Sequence, residues 1–364
     1  MNDIFIFSML KWDSSLLHRS HMLAKYFKKH GQNVFYVEKS NTFNPIKWGK
    51  YKLTSGDVSR LVVYGLPYLK GRSRFVFKLN DIIIKRALKK VLNETEIENA
   101  IALISTPHWS YAVDGIVEFD KNVFYDVSDD YIAFAENEKW AEVLSLYERH
   151  AVEISKDIFI TIDSLQEKVE NRGILIENGV DLDSFKNVEK IEFRTKGKVI
   201  GFIGGLYNWI DYDLIVKIAK ANPDDLVLII GPTNANNIME MISKIDNVEY
   251  LGAIDKKDIH NYYASLDVGI IPFLPENEYP RLKTVNSNKV YQYLFFDYPV
   301  VTTKFRQVEK MKDKIYVSDS HEEFLKNIDI AKLIGPKKKK IDLESISWET
   351  KAIEMIHVLR GEIK

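Results

Sequence analysis

Short, wholly apolar runs separated by longer amphipathic stretches set the strongest limit on how this chain can fold. In the first half, residues 4–7, 34–37, 61–63, 100–104, 123–125, 158–162 and 174–176 read as buried strands. Residues 16–29, 75–91, 141–154 and 165–170 read as the helices between them. Alternation of this kind implies βαβ units, and so a parallel sheet covered by helices on both faces. The pattern restarts at 199–203 and continues through 226–230, 248–251, 268–271 and 300–302, with a last helix from Ser347 to about Leu359. The chain therefore reads as α/β, in two Rossmann-like domains facing each other across a cleft. Its 364 residues suit that number. We place the domains at 1–180 and 181–346. The polar segment 186–198 reads as their linker, and Phe185 as a plug at the junction.

In sheets of this type ligands sit beyond the carboxyl ends of the strands, so the loops there carry the chemistry. The most informative is 286–301, which reads loop, helix, turn, strand. Ser287 or Asn288 can cap the helix, and Asp297-Tyr298-Pro299 ends it, because a residue before proline is pushed out of the α region. Free N–H groups at the helix start attract an anion. Lys289 adds a full charge in the first turn, and Gln292 follows on the same side at i+3. The set suits a diphosphate with an amide nearby for a sugar hydroxyl; it also fits an ordinary capped helix with a surface lysine. Upstream, the strand at 199–203 runs into Gly204 and Gly205, where backbone can approach a ligand closely.

In the first half, Arg19 and His21 lie near the start of the first helix, either to touch an acceptor or as part of a solvated face. Asp126, Asp129 and Asp130 follow the strand at 123–125. One of them could serve as a general base, the group could bind a divalent metal, or Asp129 or Asp130 could cap a helix. Residues 47–90 hold twelve Lys or Arg against Asp57 and Asp81, with Trp48, Tyr51, Tyr64, Tyr68, Phe75 and Phe77 interleaved. Such a stretch suits peripheral contact with an anionic membrane or a polyanionic acceptor, or is a solvated helix with core aromatics. No nucleic-acid module accompanies it, and the net charge of −1 gives no general affinity for nucleic acid. Without cysteine there is no thiolate metal site and no cysteine nucleophile. The N-terminus lacks the basic region of a signal peptide and no apolar run approaches a membrane span, so the chain reads as cytoplasmic, at most peripheral on the inner face of the membrane.

Four segments, in order, carry a resemblance. They are Gly204-Gly205 after a strand, Asn178-Gly179-Val180-Asp181 with Phe185, Asp267-Val268 leading to Ile270-Ile271-Pro272-Phe273, and Lys289 with Gln292-Tyr293-Leu294 and Pro299-Val300-Val301. Together they resemble the GT-B glycosyltransferases, in particular bacterial cell-surface polysaccharide enzymes related to family 4 and to the teichuronic-acid type. The resemblance implies an acceptor domain first, a nucleotide-sugar domain second, and a last helix (347–361) packing back on the first. It also implies transfer without a required cofactor or metal, since Lys289 and the helix dipole offset the diphosphate charge. One departure matters. Retaining family 4 enzymes carry two glutamates, and Thr284 and Gln292 stand at those positions here. Lys-x-x-Gln instead resembles the inverting glucuronosyltransferase of xanthan assembly, in which an aspartate of the first domain is the base; Asp129 is the first choice for that role.

The resemblance thus implies that a nucleoside diphosphate-sugar, uridine-based, is the donor substrate. Its site comprises Gly204, Gly205, Tyr207, Arg281, Ser287, Asn288, Lys289 and Gln292, with the base near 231–232 and 252–254. Asp129 then activates a hydroxyl of a glycan or lipid-linked acceptor. A retaining transferase, a sugar-nucleotide epimerase and a non-catalytic partner subunit remain the alternatives.

Overall fold

The computed structural model describes residues 3–14, 18–40, 44–66, 74–133, 135–255, 257–337 and 342–363. Leu16, Leu17, Tyr68, Lys70 and Arg72, which enter the sequence reading, lie outside the described residues. The chain divides into two compact units, 1–178 with 348–364, and 179–347.

The first unit contains β1 (Asp3–Ser8), α1 (Arg19–Lys29), β2 (Val34–Lys39), β3 (Tyr51–Thr54), β4 (Ser59–Val63) and α2 (Arg74–Glu94). It continues with β5 (Ala100–Ile104), α3 (Ser110–Val113), β6 (Val123–Val127), α4 (Glu138–Ile154), β7 (Asp157–Ile160) and β8 (Gly173–Leu175). Among the described residues the strands form one sheet in the order β3-β4-β2-β1-β5-β6-β7-β8, parallel except for the β3–β4 pair. The order turns back between β1 and β5, a topological switch point. Strand β1 shows why its sequence has no polar alternation. Ile4 and Ile6 enter one core layer, and Phe5 and Phe7 enter the layer on the opposite face. Both faces of a parallel sheet are covered, so both sets must be apolar.

The second unit contains β9 (Val199–Ile203), α5 (Tyr212–Ala221), β10 (Leu226–Ile230), α6 (Asn236–Ile242), β11 (Val248–Tyr250), α7 (Ile259–Ala264), β12 (Val268–Ile271), α8 (Asn288–Phe295), β13 (Val300–Thr303), β14 (Tyr316–Ser318) and α9 (His321–Ile334). Its parallel sheet runs β11-β10-β9-β12-β13-β14, with the switch point between β9 and β12. The last helix, α10 (Trp348–Leu359), belongs to the first unit. Trp348, Ala352, Met355 and Leu359 share a core layer with Ile4, Leu23 and Phe27.

Three readings need correction. Residues 165–170 are not one helix but two 3-10 turns, Asp163–Leu165 and Glu167–Val169. The turn ends at Glu170 and Asn171, both left-handed, while the Gln166 side chain clasps the backbone N–H and C=O of Gly173 at 3.1 and 2.8 Å. Segment 186–198 is no linker but lies inside the second unit, where Glu189 and Ile191 donate backbone N–H groups to Asn261 and Ser265. Phe185 packs into that unit's own core, its ring 4.9 Å from Phe295 and 5.0 Å from Phe296.

Candidate active site

In the second unit the sequence-predicted donor residues gather at the β9/β12 switch point. Gly204 follows β9 with φ +154°, and Gly231 follows β10 with φ +144°. A Cβ on Gly231 would lie 2.0 Å from the Gly204 carbonyl oxygen, and one on Gly204 would lie 1.8 Å from Lys289 Cε. Only glycine allows this stack of two loops and a lysine stem. Lys289, half-buried in the first turn of α8, holds its ammonium 5.6 Å from the Phe202 ring and 5.9 Å from the Phe273 ring. Burial lowers its pKa to about 8. Among the described residues no carboxylate pairs with it and nothing accepts a hydrogen bond from its Nζ, nor from the backbone N–H of Asn288 or Lys289. A cation held over two aromatic faces, beside two free N–H groups at a helix start, offers positive potential that an anion can occupy.

The neighbouring side chains fix this geometry. Ser287 takes the N-cap position, but its side chain makes no capping bond, contrary to the sequence expectation. Gln307 clasps the backbone of Ser287 and leaves the first helix N–H groups open: its Oε1 accepts the Ser287 N–H at 2.7 Å and its Nε2 donates to the Ser287 carbonyl at 3.3 Å. Asn288 Oδ1 is buried with no hydrogen-bond partner. Gln292 accepts a 2.8 Å hydrogen bond from the Tyr263 hydroxyl, which sets its amide. Tyr293 receives the Ile203 N–H at 2.9 Å and so ties α8 to the end of β9. Sequence reasoning missed Tyr293 and Gln307; the first lay in the recognised motif, the second carried no local signal. The Tyr207 ring lies on Gly205, where a Cβ would approach it to 2.4 Å. Tyr207, Trp209 and Tyr279 form a chain of rings, and Arg281 caps it with its guanidinium 5.7 Å from the Tyr279 ring.

In the first unit the three aspartates after β6 are sorted by their partners. Asp126 is fully buried, and Arg19 Nε donates to both its oxygens at 2.8 and 2.9 Å. Asp130 accepts from Lys168 at 2.5 Å and from the Ala133 N–H at 3.0 Å. Asp129 has no cationic partner among the described residues; the Ser128 hydroxyl reaches its Oδ2 at 3.5 Å. Burial raises its pKa to about 7; the Ser128 hydroxyl opposes that shift and the Asp130 charge adds to it. The loop is framed by Thr161, which donates to the Ser128 carbonyl at 3.0 Å, and by Tyr131, which donates to the Ser105 carbonyl at 2.8 Å. Among the described residues no group of three acidic or histidine side chains is placed to hold a metal ion.

Arg19 and His21 form no solvated face and offer no contact to an acceptor, being 5% and 3% exposed. Arg19 also donates to the Glu177 carbonyl and to Asn178 Oδ1, and lies over the Trp348 ring. His21 accepts the His18 N–H with Nδ1, and its Nε2 lies 3.0 Å from the Lys11 carbonyl. Asp126, neutralised and enclosed, is a structural anion rather than a base. Over the basic stretch 47–90, Phe77 is buried while Phe75 is 73% exposed. No helix among the described residues is long and apolar enough to cross a membrane.

Residues 197–331 match the family model described as Glycosyl transferases group 1. A Bacillus subtilis (strain 168) protein named "Putative teichuronic acid biosynthesis glycosyltransferase TuaH" is 29% identical over 171 residues, which cover 45% of this chain and 41% of that protein. The match thus spans less than half of the relative's length. Sucrose-phosphate synthase from Thermosynechococcus elongatus superposes with a TM-score of 0.71 at 12% identity, over 100% of this chain and 99% of that one. An Escherichia coli structure titled as trehalose-6-phosphate bound with UDP-2-fluoro glucose gives 0.65 at 10% identity, over 100% and 96%. The catalytic domain of Starch Synthase IV from Arabidopsis thaliana, bound to ADP and acarbose, also superposes over 99% of both chains, at 10% identity and a TM-score of 0.65. The chain thus has the GT-B fold, and its second unit carries a domain similar to the group 1 glycosyl transferases.

Proposed function

We propose that this chain transfers a sugar from a nucleoside diphosphate-sugar to a hydroxyl of a glycan or lipid-linked saccharide, with inversion. The observation that carries the reading is Lys289: a half-buried cation without a counter-ion, beside free N–H groups, at the switch point of the group 1 domain. Lys289 and the start of α8 hold the diphosphate and stabilise it as it leaves. Gln292 and Asn288 bind sugar hydroxyls, and Gly204 and Gly205 let the backbone reach the phosphates. Asp129 takes the proton from the attacking hydroxyl. With Thr284 and Gln292 in place of two acids, no side chain at those positions can form a glycosyl-enzyme, which favours direct displacement. The cation and helix dipole replace a metal as neutralisers of the diphosphate, so chelation leaves transfer intact. The relative named for teichuronic acid biosynthesis supports a polysaccharide acceptor, and the UDP-2-fluoro glucose complex of a structural neighbour supports a uridine donor. The basic stretch 47–90 would bring the enzyme to an anionic membrane.

Thermal shift against a panel of nucleoside diphosphates and their sugars tests the donor site. A ligand at a hundred times its Kd stabilises by about 2.7 kcal/mol. Wild type and Asp129→Asn should both be stabilised by one diphosphate, and Lys289→Ala much less. If no nucleotide stabilises the wild type, the donor assignment is wrong and a partner-subunit role takes its place.

A further inference from the structure

Helices α2, α3 and α4 of the first unit enclose a cavity of about 300 Å³ that the proposed transfer does not use. Its walls are Phe77, Tyr111, Val143, Leu146 and Tyr147. Along α2, Lys78, Asp81 or Ile82, and Lys85 recur at helical spacing and line the same cavity. Lys78 is exposed and Lys85 half-buried, and neither has an ion-pair partner among the described residues. Asp81 is 5% exposed; it accepts from the Tyr147 hydroxyl at 2.5 Å through Oδ2, while Oδ1 has no hydrogen-bond partner. Beside the cavity, α2 leaves Phe75, Leu79 and Ile82 at 73%, 41% and 49% exposure.

We propose that this cavity takes one alkyl chain of an anionic lipid, with the lipid phosphate held by Lys78 and Lys85. The inference rests on the reading that the basic stretch 47–90 meets lipid. A sugar or nucleotide would require several converging polar groups, and between the apolar walls there are only the Asp81 carboxyl and Tyr147 phenol, already joined to each other, and the Tyr111 phenol. A free phosphate would satisfy the lysines and leave the apolar walls unused. An amphiphile with an anionic head satisfies both, and Leu79 and Ile82 extend the apolar surface outward from the cavity.

Binding of decyl phosphate, octyl phosphate, inorganic phosphate and decyl maltoside to the full chain, below micelle concentrations, tests this. Decyl phosphate should saturate at one per chain, with affinity falling about fourfold for each methylene removed. Leu146→Trp, and independently Val143→Phe, should lose that chain-length dependence and at least tenfold in affinity while the nucleotide thermal shift persists. Lys78→Glu with Lys85→Glu should abolish the preference for the phosphate over the maltoside. The proposal is overturned if inorganic phosphate binds as well as decyl phosphate, or if both cavity variants bind decyl phosphate unchanged. Flotation with phosphatidylglycerol and phosphatidylcholine vesicles separates the two readings. Equal flotation of wild type and cavity variants on the anionic vesicles leaves the membrane reading standing and overturns the cavity. Decyl phosphate binding as expected without flotation supports the cavity and overturns the membrane reading.

Discussion

In the proposed transfer Lys289 and Asp129 act in opposite charge states, and burial opposes both. It lowers the lysine to about 8 and raises the aspartate to about 7. A base must be ionised, so transfer should rise with pH up to about 7. A lysine must be protonated to hold the diphosphate, so transfer should fall above about 8. The expected kcat/KM profile is a narrow bell with its limbs near those values, measured with donor and acceptor below saturation. Asp129→Asn should lose roughly 10²–10⁴ in transfer, along with the acid limb, and keep its nucleotide affinity. The alkaline limb has its own check in binding alone. As pH rises past 8 the free protein loses the Lys289 proton, and a bound anion must restore it. Nucleotide affinity should then drop toward tenfold per pH unit in the wild type and stay flat in Lys289→Met, as read by calorimetry.

At the scale of elements, side chains far apart in sequence do the joining. Arg19 starts α1, yet its guanidinium grips Asp126 on β6, Asn178 at the end of the first unit's main segment, and the ring of Trp348 on α10. Removing the cation strands a carboxylate that is 1% exposed. Arg19→Met should cost about 3–5 kcal/mol, whereas Arg19→Met with Asp126→Leu should recover much of it, as measured by chemical denaturation. These pairings also explain what the sequence could and could not reveal. Buried strands such as β1 and β12 were legible because both faces demand apolar residues. β3 was missed because its edge position leaves Lys52 and Thr54 exposed and no apolar run forms. The helix start at Asn288, the glycine turn and the aspartate loop were legible as local chemistry. The partners that sort the aspartates were not, since Arg19 lies 107 residues from Asp126 and Lys168 lies 38 from Asp130. Nor could spacing show that Lys289 rests on Gly204, a contact that makes the glycine obligatory. Gly204→Ala should displace the lysine stem and weaken nucleotide binding about as much as Lys289→Ala, in the same thermal-shift assay.

At the scale of the whole molecule, each unit has a hydrophobic core of its own. Ile200, Ile229, Tyr293 and Val301 belong to that of the second; Phe5, Ile84, Ala102 and Tyr125 belong to one layer of the first. The chain passes between the units at 178/179 and again at 347/348, and on the second unit's side the two passages are joined, with the Val180 N–H donating to the Ile346 carbonyl at 2.8 Å. The core of the first unit joins residues from 4–27 with α10, so it draws on segments on both sides of the second unit. Chains built this way commonly unfold in more than one step. The residues proposed to hold the nucleotide all belong to the second unit, so a bound nucleotide should raise only the transition in which that core is lost, by about 2.7 kcal/mol at a hundred times its Kd. Hydrogen exchange should assign the transition by residue. Amides at Gly204, Gly231, Asn288 and Lys289 should gain protection with nucleotide, while those at 128–131 should exchange as before. Lys289→Ala should remove the effect and leave both transitions otherwise in place. A single transition that moves as a whole with nucleotide would show instead that the two cores stand or fall together, and protection at 128–131 would then follow from that coupling.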